Sequence, residues 1–311
     1  MTPSNESLSN ILIGRICIIN TLLQVVLAIM SILTTIGNLL VIVTIYRNPR
    51  SEQRTVSNYL VVNLAVADLM IGLLGELLLM ISYSVPKDVH EELAYTLMTA
   101  VGMVLTSALC LSSGTILSLT IERYLSLQMP LWREKLFTGL PLKRRIFLIW
   151  IFGLVFGFFP NLFGNANMTE WFHCVLCEFV TLVIIILYMR MFIIIRNFNK
   201  HLLIQGIQQS LVQPGHEYIT AKRREHLFAK ATFLFVGAYV MCYLPYAITI
   251  HISLFYDSLS MAGTLENGLF VLMLLNSALN PVLYTFTMPH YRREVKKILE
   301  SVKRSVLSLC S

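Results

Sequence analysis

Asp68 lies in the run Asn63-Leu64-Ala65-Val66-Ala67-Asp68-Leu69, a carboxylate set among apolar residues. On the membrane-insertion scale an ionised group in such a place costs about 2.5–3.5 kcal/mol, so it needs compensation. Other polar groups are as sparsely set: Asn38 after Gly37, Ser112 and Ser113, and Asn276, Ser277 and Asn280 just before Pro281. Carboxylate, amide and hydroxyl oxygens are the ligands that hard cations prefer. Asp68, Ser112, Asn276 and Asn280 are therefore read as a set that holds a sodium ion with water. The plainer alternatives are a proton on Asp68 and a set of hydrogen bonds that only ties helices together. Asp68 has no partner histidine, and no nucleophile–base pair accompanies it, so the chain is read as not an enzyme. A different chemistry marks Glu122-Arg123-Tyr124, where an always-charged guanidinium can pair with Glu122 or reach further across its surroundings.

The elements that position these groups follow from composition. The chain is 56% hydrophobic and 13% charged, whereas soluble domains carry about 25% charged residues. A spanning helix needs about 20 apolar residues. Seven such stretches occur, near 17–46, 56–85, 93–127, 143–163, 176–198, 226–256 and 264–287. The expected architecture is an all-α bundle of seven transmembrane helices over 17–288. An extracellular N-terminus over 1–16 precedes it. An amphipathic helix and short cytoplasmic tail over 289–311 follow. No signal peptide is read, and the first helix serves as the anchor. Of the 24 Lys and Arg, all but Arg15 and Lys87 fall on one face in this topology, which the positive-inside rule assigns to the cytoplasm. The net charge of +7 then reflects attraction to anionic lipid, not to nucleic acid. Asn5 and Asn167 are glycosylation acceptors by sequence and fall on the outer face. From Tyr291 onward, Val295, Ile298, Leu299 and Val302 alternate with basic residues, as in a helix lying on a leaflet.

These features together resemble the rhodopsin-like family of G-protein-coupled receptors along nearly the whole chain. Gly37-Asn38 resembles its helix-one signature, Leu64-Ala65-Val66-Ala67-Asp68 its helix two, and Glu122-Arg123-Tyr124 its helix-three triplet. Trp150 resembles the helix-four tryptophan, Cys242-Tyr243-Leu244-Pro245 the bend of helix six, and Asn280-Pro281-Val282-Leu283-Tyr284 the helix-seven motif. The resemblance implies an extracellular ligand, a heterotrimeric G protein and arrestin as partners. It implies a switch built on Glu122, Arg123, Tyr124, Tyr188, Asn280, Pro281 and Tyr284. Glu225, twenty residues before Pro245, would pair with Arg123 and hold the resting state. Pro245 lacks an amide proton and must bend helix six, so Tyr239, Tyr243 and Pro245 form the expected pivot.

The sequence also departs from that family. The usual helix-three cysteine is Met98, the helix-five proline is Val180, and the helix-six tryptophan is Tyr243. These absences, with Tyr188-Met189-Arg190-Met191-Phe192, resemble the branch of melanocortin, adenosine, cannabinoid and lysophospholipid receptors. Leu105 stands where amine receptors carry aspartate, and Leu274 where visual pigments carry lysine. Cys174 and Cys177 either close a small disulfide in the outer loop or stay reduced at the top of helix five. Ligand candidates are Glu76, Leu105, Tyr243, Tyr246, His251 and Glu266. The outer face carries nine acids against two bases, which would draw a cationic ligand, a basic peptide or calcium; a lipid or peptide agonist is favoured. The rival readings are a seven-helix scavenger or partner subunit without G-protein coupling, and a transporter.

Overall fold

Within a bilayer every backbone amide must find its partner inside the chain, and a helix achieves that segment by segment. The computed structural model describes residues 3–47, 56–84, 91–163, 166–208, 234, 236–252, 262–287 and 289–309, and no strand occurs among them. Helix one is Pro3–Arg47. Helix two runs Val56–Ser84, broken only by a π-turn over Ile71–Glu76. Helix three is Glu91–Gln128, helix four Leu140–Phe163 and helix five Ala166–Gln208. Helix six is described over Val236–Ile252, and helix seven is Ala262–Thr287 with Pro281 inside it. The eighth helix is Pro289–Leu309. Five of the seven, helices one, two, three, five and seven, are long and apolar enough among the described residues to cross a membrane.

Helices one and five run well past their apolar stretches, because hydrophobic length sets where lipid begins and ends, not where helical hydrogen bonding stops. Ile18, Leu22, Ile29, Ile32 and Leu33 of helix one stand exposed, as do Phe179, Leu182, Ile186 and Phe192 of helix five. Such faces suit lipid, which needs no burial of apolar surface. Helix three is the hub: 56% of its spanning window is buried inside the protein, against 22% for helix five. It lies close to helix four because glycines face it. A Cβ on Gly157 would collide with the backbone and hydroxyl of Ser107, and one on Gly153 with Leu111.

Between helices three and four a short helix, Pro130–Phe137, starts with proline at its first turn and ends at Thr138. Proline's fixed φ and missing donor suit that position. Gly139 turns the chain with φ of +60°, a left-handed conformation that glycine adopts without steric cost. Arg145 lies over the Phe137 ring at 4.1 Å and ties this helix to helix four. At the same end of the bundle Tyr291 of the eighth helix meets Tyr284 edge-on, centroids 6.2 Å apart, within a cluster that includes Val41, Val61 and Ala65. Burial pushes the Tyr291 hydroxyl up to about 12, so the ring stays neutral. Its exposed side carries Arg292, Arg293 and Lys296, as the alternating pattern predicts.

Candidate functional site

Three polar centres lie one above another along helix three. The first is at the basic end. Glu122 is fully buried, yet it faces two cations: Arg133 Nε donates to Oε1 at 2.7 Å, and Arg123 Nε lies 3.4 Å from Oε2. Ser57 of helix two donates to Oε2 at 3.2 Å and accepts a hydrogen bond from Arg123 Nη2. A buried carboxylate is tolerable only when paired and hydrogen-bonded, and here both conditions hold. The expected pairing of Arg123 with Glu122 is present. Ser57 and Arg133 were not foreseen. Tyr124 packs beside this centre between helices, and Tyr188 is buried on helix five. Glu225 lies outside the described residues.

The second centre is Asp68, with no exposed surface. Asn280 Nδ2 donates to Oδ2 at 2.7 Å, and Ser112 Oγ donates to Oδ1 at 3.3 Å. These partners come from helices seven and three, which are brought in by close contacts: a Cβ on Gly37 would lie 2.8 Å from the Pro281 ring. Asn276, one turn from Asn280, is buried with its Oδ1 unpartnered. It shares a small cavity with Ser112, Ser113, Tyr239, Tyr243 and Met273. Ser112 and Asn276 line the cavity, and Ser112 links it to the Asp68 carboxylate; oxygens of these types suit a hard cation. All four residues expected to form this set are therefore neighbours. Unlike Glu122, Asp68 receives only neutral donors.

The third centre closes the cavity. Tyr239 and Tyr243 stack in parallel, centroids 5.7 Å apart. The Tyr239 hydroxyl is 3.2 Å from Ser113 Oγ and accepts from Thr181 at 3.4 Å. Tyr243 donates to the Cys174 carbonyl at 3.1 Å. Of the two readings of Cys174 and Cys177, an outer-loop disulfide or reduced thiols at the top of helix five, the structure agrees with the second. Helix five begins at Ala166, so both cysteines lie buried inside it, with no disulfide between them. Three residues apart on a helix, they are held by helical backbone geometry in the seam with helix six rather than in a loop that could fold to bond them.

The six ligand candidates do not converge. Only Tyr243 lines the cavity. Leu105 fills the space left by Gly75, and Glu76 is sealed within the bundle. Tyr246 packs on Phe270 with centroids 5.3 Å apart. His251 Nδ1 lies 2.9 Å from the Ala247 carbonyl and 3.5 Å from Glu178. Glu266 is half-buried near Tyr83. The side chains of Asn5 and Asn167 lie outside those described. A further network was missed. Trp150 Nε1 donates to Asn63 Oδ1 at 2.8 Å, and Asn63 Nδ2 donates to Thr115 Oγ1 at 2.8 Å.

With this geometry in view the comparisons with known proteins are decisive. Residues 37–284 match the family described as 7 transmembrane receptor (rhodopsin family). The chain belongs to that family. It is similar to the adenosine receptor A2a of Homo sapiens, 27% identical over 303 residues covering 87% of this chain and 70% of the relative. It is similar also to the octopamine receptor beta-1R of Drosophila melanogaster, 26% identical with 86% and 59% covered. A third relative is the G-protein coupled receptor 52 of Bos taurus, 25% identical with 94% and 84% covered. This rhodopsin-family chain is thus a G-protein-coupled receptor, a multi-pass protein of the plasma membrane, and not an enzyme.

Proposed function

We propose that the receptor couples an extracellular ligand to a heterotrimeric G protein through release of Arg123 at the basic end of helix three. The observation that carries this reading is the Arg123–Glu122 contact, 3.4 Å long and backed by Ser57 and Arg133. In this scheme the basic end and the C-terminus face the cytoplasm, the acidic end and the N-terminus face outward, and the eighth helix lies on the inner leaflet. Activation swings the inner part of helix six outward about Pro245. Arg123 then turns from Glu122 toward the G protein, and arrestin docks at the same face. Glu225 supplies the resting contact from helix six. Asp68, Ser112, Asn276 and Asn280 hold a sodium ion in the resting state. A lipid or peptide ligand acts from the outer face, where acidic residues favour cationic chemistry.

The scheme is tested by Glu225→Ala, read as ligand-independent G-protein activation at matched surface expression. A contact made only in the resting state biases the equilibrium toward it, so its loss is expected to raise basal signalling several-fold. An unchanged basal signal removes Glu225 from the switch. A ligand panel read by cAMP and calcium together then identifies the agonist class.

A further inference from the structure

Glu76 is the most isolated charged group among the described residues. It has no exposed surface, and neither carboxylate oxygen has a hydrogen-bond partner. It ends the π-turn Ile71–Glu76 at the seam between helices one and two. Across that seam helix one presents Ser31, Thr34, Thr35 and Asn38, spaced as one helical face. Ser31 Oγ donates to the Gly72 carbonyl at 2.7 Å. The Thr34 side chain acts on the Glu76 carboxylate without completing a full hydrogen bond, and the hydroxyls of both Thr34 and Thr35 are buried. Thr44, further along the same helix, shares this state; threonines on the other helices do otherwise. Thr96, Thr99, Thr115, Thr120, Thr249 and Thr285 each donate to the carbonyl four residues earlier. Gly72 leaves the seam open: a Cβ there would stand 3.0 Å from the Thr34 side chain and from Thr35 Oγ1.

We propose that Glu76, Thr34 and Thr35 form a site for a monovalent metal cation between helices one and two, separate from the Asp68 cluster. Two carboxylate and two hydroxyl oxygens, none with a complete hydrogen bond, lie buried along the seam. Oxygen sets of this kind suit hard cations. A proton would answer one oxygen of the four. The charge balance selects a monovalent ion, since one carboxylate with no second acid in the set is neutralised by one positive charge and a divalent ion leaves an excess. Leu105 of helix three stands against this turn at Gly75. Asp68, eight residues earlier on the same helix, is the charged group that acts on Glu76. At about 1.5 Å per residue in the α-helix, and less through the π-turn, the two lie on the order of 10 Å apart along the axis, too far to share one ion.

The test uses the full chain in lipid nanodiscs, with sodium as the probe and choline as the inert replacement at constant ionic strength. Unfolding is followed by thiol labelling of the buried cysteines. On an Asp68→Asn background, sodium is expected to raise the melting temperature saturably, by about 2 °C or more. Adding Glu76→Gln removes the rise. Adding Thr34→Val with Thr35→Val instead shifts half-saturation to at least tenfold higher sodium, which keeps the test alive if the glutamine variant misfolds. Glu76→Gln alone retains the sodium effect belonging to Asp68, so the two sites fail separately. A sodium-indifferent Asp68→Asn receptor overturns the proposal, as does a sodium response that survives removal of Glu76. If stability on that background ignores sodium but follows pH until Glu76 is replaced, the seam holds a proton and the cation site is refuted.

Discussion

Glu122 and Asp68 are both carboxylates without exposed surface, and the chain treats them in opposite ways. Glu122 receives two guanidinium groups and a hydroxyl, so its charge is balanced by covalent parts of the protein. Asp68 receives an amide and a hydroxyl, which orient it without neutralising it. The difference follows their places in the bundle, Glu122 at the basic end of helix three and Asp68 within helix two. Arginine side chains at the end of a bundle can keep their stems in apolar surroundings and their heads near water, whereas mid-membrane arginine is costly. A balanced centre holds a conformation by itself. An unbalanced one responds to whatever charge is supplied from outside.

The largest expected effect comes from removing the balanced charge. Glu122→Ala leaves two arginines facing each other around Ser57, and losing one member of a buried ion pair costs about 3–5 kcal/mol. A clear fall in melting temperature is expected together with raised basal signalling, measured on purified receptor and in cells. If stability and basal activity are both unchanged, the ion pairs are decoration.

Asp68→Asn comes next. It preserves the shape and much of the hydrogen bonding but not the charge, so sodium should no longer lower agonist affinity. Allosteric couplings of 1–3 kcal/mol correspond to about 5–150-fold, and competition binding in sodium and in choline measures the loss. Sodium-independent affinity in the unmutated receptor would falsify the ion reading while leaving the comparison of the two carboxylates intact.

Arg133→Gln sharpens the comparison at its balanced end. With Arg133 neutral, Glu122 has Arg123 as its one remaining cation among these partners, and the pair should tighten. Basal signalling is expected to fall and agonist potency to weaken a few-fold, with surface expression retained. A rise in basal signalling would show that Arg133 reinforces the resting contact instead of competing for it. The smallest effect is reserved for Trp150→Phe, which removes one donor to Asn63. About 1 kcal/mol of stability should be lost with ligand affinity unchanged, checked by thermal unfolding and binding on the same preparation.

Seven helices and the Asp68 cluster are legible in the sequence for one reason. Polar atoms are so rare in the apolar stretches that Asp68, Ser112, Asn276 and Asn280 stand out, and lipid leaves them nowhere to turn but inward. Arg133 is illegible for the opposite reason. It is one of many basic residues on its face, and which of them folds back on Glu122 depends on the helix that Pro130 starts. The disulfide alternative for Cys174 and Cys177 stayed open because the apolar stretch begins near 176 while the helix begins at Ala166. The Ser31, Thr34, Thr35, Asn38 face carried a readable period, but nothing in the sequence places Glu76 opposite it, because the π-turn resets the phase of helix two. Tyr239 and Tyr243 were foreseen as a pivot; their stack against a hydroxyl cluster was not.

The contact between Ser107 and Gly157 has a consequence for descent. The place that a Cβ on Gly157 would occupy is already taken by the backbone of residue 107, so no change at residue 107 alone makes room for a larger residue at 157. Any lineage that enlarges residue 157 must first draw helices three and four apart, which disturbs Gly153 against Leu111 at the next turn. Positions 107, 111, 153 and 157 are therefore expected to change only together, whereas Phe147, Leu148 and Val155 stand exposed on helix four and carry no such constraint.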